Sequence, residues 1–204
     1  MSSRAYTPRR RPRQSEQTRE RVLAAVRELL HEGTFHESTV EEVADRAGIA
    51  RATLYQHFGS RLGLIDAICD TFSVNPALVA LREAVEAPDV ERALADTVDL
   101  AVRFWMSEDG VLKQIYGVAA IDPAAADLVD RQRADRRGEM QKLVQRLADS
   151  GRIASGLSQR EALARLMVLT SYDAYRELKA AGQSDRDVAR TLRASALSML
   201  TESA

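Results

Sequence analysis

The sequence predicts an all-α protein of about nine helices, with an N-terminal three-helix unit followed by a longer C-terminal helical bundle. Three observations predict it. Apolar residues recur at helical period in almost every segment, and no stretch alternates as a half-buried strand would. Gly33, Gly48, Gly151 and Gly182, with Pro76, Pro88 and Pro123, fall at the ends of those periodic segments. The 204 residues are 45% hydrophobic and 29% charged, an ordinary globular composition that can bury a real core.

Taken in order, residues 1–14 are rich in Pro, Arg and Ser and are expected to form a disordered basic arm. A first helix is predicted from about Ser15 to His31, striped by Val22, Leu23, Val26, Leu29 and Leu30 and ended by Gly33. Thr39 and Glu42 have capping-box spacing and open a short helix with Val40, Val43, Ala44 and Ala47 on one face. Gly48 stops it. A third helix runs from near Ala50 to about His57, and Gly59-Ser60 starts a fourth. Pro76 and Pro88 are placed as first-turn prolines, and Asp122-Pro123 opens a long helix that Gly151 closes. Ser158 with Glu161 and Ser184 with Asp187 mark the last two helices, about 159–181 and 185–201, separated by Gly182. The domains read as the arm 1–14, a unit over 15–65 and a second over 66–204.

The net charge of −1 hides an asymmetry. Residues 1–13 hold Arg4, Arg9, Arg10, Arg11 and Arg13 and no acid, which leaves 24 basic against 30 acidic side chains beyond them. A basic arm on an acidic body suggests an anionic partner. No apolar run approaches the roughly 18 residues of a membrane span, and no apolar segment follows the N-terminal arginines as in a secretory signal. The single cysteine, Cys69, allows no internal disulfide, which argues for a reducing, cytoplasmic setting.

Residues 39–58, TVEEVADRAGIARATLYQHF, are the informative stretch. Two short helices meet at Ala47-Gly48-Ile49, where Gly48 supplies the positive φ of a sharp corner and Ile49 plugs it. Leu54 and Phe58, one turn apart, anchor the second helix on the core. Arg51, Ala52, Thr53, Tyr55, Gln56 and His57 then point outward. That set suits a DNA groove: Ala52 permits close approach, Arg51 reaches guanine or phosphate, Thr53 meets a base or thymine methyl, and Tyr55 and His57 donate to phosphates.

Residues 16–65 resemble the DNA-binding region of the tetracycline-repressor (TetR) family. The matching pieces are Gly33, Thr39, Val43-Ala44, Ala47-Gly48-Ile49, Leu54-Tyr55-His57-Phe58 and Ser60-Arg61 with Leu64. Three positions depart from the family pattern: Ala50 stands where a capping Ser or Thr is usual, Arg61 stands for a lysine, and Leu62 stands where an acidic residue is common. Arg61 keeps the charge and is expected at a phosphate, and Thr39 joins the DNA-facing set. The resemblance implies a helix-turn-helix reader over 39–58, a homodimer on a palindromic double-stranded operator, and a C-terminal unit that binds a small-molecule effector. It also implies repression relieved by that effector, with the fourth helix as the link.

For the effector, the aromatic and Met residues Phe72, Phe104, Trp105, Tyr116, Met140, Met167, Tyr172 and Tyr175 form the candidate set, with Met106 and Asp173 nearby. Tyr and Trp bring polar tips that orient a ligand, although Met and aromatics at helical spacing are more often plain core. Leu192, Ala196, Met199 and Leu200 are expected to form the dimer seam. No phosphate-binding loop, dinucleotide fingerprint, nucleophile elbow or zinc-protease motif is present, and His31, His36 and His57 match no metal spacing. No catalytic residue, metal or cofactor is therefore expected. A helical adaptor, or an activator without a small-molecule ligand, is the competing reading.

Overall fold

The computed structural model describes residues 10–202, with side chains from residue 14 onward. Residues 1–9 of the expected arm lie outside the described residues. From Arg10 the backbone is already helical, so the first helix starts five residues before the expected Ser15. Among the described residues there are ten α-helices, one short 3₁₀ turn (Phe72–Val74) and no strand. No single helix among them is long and apolar enough to cross a membrane.

The described chain clusters into two compact units. One holds the residues to Asp70 together with Lys113–Leu128, and the other holds Thr71–Leu112 together with the residues from Val129 onward.

In the first unit, α1 (Arg10–Glu32) buries Val22, Val26, Leu29 and Leu30 of the stripe read from the sequence, together with Ala25, while Leu23 of that stripe is half-buried. Its end is closed by the Leu29 carbonyl, which accepts from the N–H groups of Thr34 (3.0 Å) and Phe35 (3.1 Å). Helix α2 (Val40–Arg46) opens on the expected capping box. Glu42 N–H donates to Thr39 Oγ1 at 3.2 Å, and Thr39 N–H donates to the Glu42 carboxylate at 2.6 Å. Gly48 has φ of 63°, which an L side chain rarely adopts, so the chain can turn back at once. Helix α3 (Arg51–Phe58) follows from Ala50, which gives it no side-chain cap. Helix α4 (Arg61–Thr71) begins where Ser60 Oγ accepts from Gly63 N–H at 3.0 Å. A Cβ at Gly63 would fall on the Phe58 carbonyl oxygen, closer than real Cβ atoms come, so only glycine lets α4 start this close to the end of α3.

The second unit contains α5 (Pro76–Val85), most of α6 (Val90–Ala119) and of α7 (Pro123–Asp149), then α8 (Gln159–Leu169), α9 (Tyr172–Ala180) and α10 (Asp185–Leu200). Asn75 caps α5 by accepting from Ala77 N–H at 2.9 Å, with Pro76 in the first turn as expected. Pro88 instead lies outside its helix, and Asp89 is the cap of α6, accepting from Glu91 and Arg92 N–H at 3.1 Å. Arg146 of α7 donates to the carbonyls of Val85 and Ala87, closing the end of α5.

The helix expected over 159–181 is two helices, which makes ten rather than nine. The break comes at Thr170-Ser171. Ser171 starts a new helix by accepting from Ala174 N–H at 3.0 Å, and the freed Thr170 carbonyl takes the Trp105 indole N–H at 3.1 Å. At the C terminus, Ala154 N–H donates to the Leu200 carbonyl at 2.9 Å, beside a single bridge between Ile153 and Thr201.

Candidate nucleic-acid interface

Helices α2 and α3 fix which way the reader residues point. Leu54 and Phe58 of α3 and Val43 and Ala44 of α2 are buried, so their alignment sets the opposite face outward. On that face Arg51, Ala52, Tyr55 and Gln56 are exposed, while Thr53 and His57 are half-buried at its edges. Tyr55 leaves 39% of its surface open. Thr39 is exposed at the start of α2, with its hydroxyl engaged in the capping box.

Arg51 is held but not buried. Its guanidinium lies 2.6 Å from the Glu41 carboxylate and 5.3 Å from the centre of the Tyr55 ring. Hydrogen bonding to Tyr55, and then the charge of Glu41, raise its pKa. An exposed pair of this kind contributes little stability, so exchanging Glu41 for a phosphate or a guanine edge costs little. The sequence reading does not single out Glu41, although its place in the first turn of α2, one corner away from Arg51, is the signal that could find it.

Arg61 sits differently from the expected phosphate contact. Both terminal nitrogens donate within the protein, to the carbonyls of Ser38 and Phe35, and the guanidinium stacks 4.4 Å over the Phe35 ring. It is half-buried, and desolvation lowers its pKa. In this arrangement Arg61 ties α4 to the loop that leads into α2.

The aromatic candidates of the second unit come together as a packed chain. Ring centres are 5.4 Å apart for Phe72 and Phe104, 4.8 Å for Phe104 and Trp105, 5.6 Å for Trp105 and Tyr172, and 6.2 Å for Tyr172 and Tyr175. All five are buried. Their polar tips have partners: the Tyr172 hydroxyl donates to Asp109 at 2.6 Å and the Tyr175 hydroxyl to Asp185 at 3.1 Å. Burial, reinforced by those carboxylates, pushes both phenol pKa values up, so both tyrosines stay protonated donors. Met140 is fully buried and Met167 half-buried. Tyr116 belongs to the part of α6 that clusters with the first unit. Among the described residues, no cluster of His, Cys, Asp and Glu could hold a metal ion.

Residues 22–68 match the family model described as bacterial regulatory proteins, tetR family. Over a longer span, the chain is 29% identical across 145 residues to the HTH-type transcriptional regulator YdeS of Bacillus subtilis, covering 67% of this chain and 69% of that one. Over residues 22–68 the chain carries the DNA-binding region of the TetR family. Solved structures extend the likeness to the whole fold. A transcriptional regulator from Saccharomonospora viridis in complex with choline superposes with a TM-score of 0.76 at 17% identity, over 92% of this chain and all of that one. The SmeT–triclosan complex gives 0.72 at 17% identity, over 91% of this chain and 92% of that one. At such identity these two establish the fold. The matched residues 22–68 include all of α2 and α3, the helix-turn-helix itself.

Proposed function

We propose that the chain is a homodimeric repressor that holds a palindromic operator with its two α3 helices and releases it when a small molecule binds the second unit. The observation that carries this reading is the outward face of α3, where Arg51, Ala52, Tyr55 and Gln56 stand exposed on a helix whose other face is core. An adaptor helix has no need of such a set. Arg51 and Thr53, near the start of α3, meet base edges, while Tyr55, Gln56 and His57 meet phosphates. Ala52 lets the backbone approach. Because Ala50 provides no side-chain cap, the first-turn N–H groups of α3 are also available to a phosphate. Thr39 serves the interface by fixing the start of α2. The arginines of residues 1–14 add sequence-independent attraction.

The dimer surface in this reading is the outward side of α8 and α10, where Val168 is 64% and Met199 42% exposed. Leu192, Ala196 and Leu200, expected at the seam, are instead buried in the protomer's own core, because residues four apart on α10 face inward together. The effector is assigned to the second unit around Trp105 and Tyr172, with choline and triclosan in the two structural neighbours as the supporting analogy. The protein works in the cytoplasm and performs no catalysis.

Selection of bound DNA from a random pool tests the reading. It should return a palindrome with half-sites about one helical turn apart. A pool that shows no enrichment overturns it. Compounds that release the selected DNA should alter the emission of Trp105, the single tryptophan.

A further inference from the structure

A groove of about 490 Å³ lies between α6 and α10 in the second unit, a volume within the range of small-molecule sites. Its floor is apolar. Val102 is buried, Ala189 is half-buried, and Met106 lies alongside with 47% of its surface exposed. Its walls are charged, and those charges do not cancel. Asp185 is engaged by Lys179 Nζ at 3.0 Å and by the Tyr175 hydroxyl at 3.1 Å. Asp99 Oδ2 pairs with Arg193 at 2.7 Å, and Arg190 pairs with Asp187. Arg103 on α6 and Arg186 on α10 remain, both exposed and neither with an acidic partner among the described residues. One further atom is unanswered: Asp99 Oδ1 is buried without a hydrogen-bond partner, an arrangement folded proteins avoid unless a donor reaches it.

We propose that this groove binds a small amphipathic organic oxyanion. A carboxylate or phosphate head lies between Arg103 and Arg186, and the apolar part runs along Val102, Met106 and Ala189. Guanidinium groups suit such a head because their planar forks match its oxygens. An apolar tail accounts for an exposed methionine in a wall otherwise made of arginine and aspartate. None of Phe104, Trp105, Tyr172 and Tyr175 lines the groove. Its occupancy is therefore separate from the effector assignment above, and it can be measured without DNA.

The test is titration calorimetry of the full chain with hexanoate, 3-hydroxyhexanoate, hexyl phosphate and hexylammonium. Both carboxylates or the phosphate should bind saturably, more weakly as salt rises, and hexylammonium should not. Whichever oxyanion binds more tightly identifies the head group. Arg103→Ala and Arg186→Ala, both at exposed positions, should leave the melting curve in place and weaken binding about tenfold or more each. Binding that survives the double substitution, hexylammonium that binds as well as the anions, or no saturation by any anion would overturn the site.

Discussion

Helices α3 and α10 are built on the same plan and differ in what they leave outside. Each buries residues spaced three or four apart: Leu54 and Phe58 on α3, and Val188, Leu192, Ala196 and Leu200 on α10. Opposite those residues, α3 shows Arg51, Ala52, Tyr55 and Gln56, a run of donors and one small residue. The far side of α10 shows Arg186, Arg190, Ala194, Ser198 and Met199, which mixes charge, small residues and one large apolar group. The apolar stripe of a surface helix thus belongs first to its own protomer, and whatever recognises a partner stands on the remainder. On α3 the remainder is dense in hydrogen-bonding groups. On α10 it is split between the charged groove and the small patch near Met199.

The sharpest way to break this comparison is to charge the buried face of α10. Leu192 is only 5% exposed, so Leu192→Glu places an unpaired carboxylate in the core. The expected cost is about 3–5 kcal/mol, a large part of the total stability of an ordinary domain. Thermal unfolding should show a collapsed or absent transition rather than a well-folded monomer. A folded, monomeric Leu192→Glu protein would put Leu192 back at a seam between protomers. Charging the outer side should do the reverse. Val168→Glu leaves the melting temperature nearly unchanged and weakens the proposed dimer by about 2–5 kcal/mol, because the charge is buried only on association. Light scattering across a dilution series measures it, and an unaltered dimer would move the interface off α8.

How legible each part is follows from the range of the forces involved. Caps and corners are local, so Thr39 with Glu42, Ser158 with Glu161, Asn75 with Pro76, and Gly48 can all be read from spacing and occur as expected. The outward set on α3 is legible because Leu54 and Phe58 pin the helix's rotation. The split at Thr170-Ser171 is not legible, since the Thr170 carbonyl is satisfied by Trp105, 65 residues away in sequence. Gly63 carries no signal of its own because its requirement comes from the Phe58 carbonyl and not from a turn. Arg61 has the charge expected of a phosphate ligand, yet the carbonyls of Phe35 and Ser38 compete for it. No one-dimensional pattern reports that competition.

A smaller effect separates the contacts on the outward face of α3. Arg51→Ala removes a side chain that is exposed and paired only with Glu41 and Tyr55, so protomer stability should change by no more than about 0.5 kcal/mol. Operator binding should weaken by about 1–3 kcal/mol, with preference relaxed at symmetric positions in the two half-sites. Binding to operator and scrambled DNA, measured side by side, resolves the two components. An unchanged preference would remove Arg51 from the base-reading set and leave it a phosphate contact. Deleting residues 1–13 should instead lower affinity for every sequence and flatten the salt dependence by about one unit for each phosphate that the arm no longer reaches.

The smallest expected effect lies where the two helices begin. Helix α10 starts at Ser184, whose hydroxyl accepts from Asp187 N–H at 3.2 Å, whereas α3 starts at Ala50 with no side-chain acceptor. An N-cap of this kind contributes about 1 kcal/mol. Ser184→Ala should therefore destabilise the protomer by about that amount and leave DNA binding untouched, because α10 plays no part in the reader. Ala50→Ser should stabilise by a similar amount, since a serine Oγ would satisfy an N–H in the first turn of α3. If those N–H groups hold a phosphate in the complex, the new cap competes for them. The same substitution should then weaken operator binding by about 0.5–1.5 kcal/mol, the net contribution of one hydrogen bond. The loss should be equal on operator and scrambled DNA, because a backbone N–H reads no base. The salt slope should stay constant, because no charge has been removed. Melting curves and binding isotherms on the same samples decide between the alternatives. A protein that is stabilised yet binds DNA with wild-type affinity would show that the missing cap is an ordinary weakness of α3 and not a phosphate site.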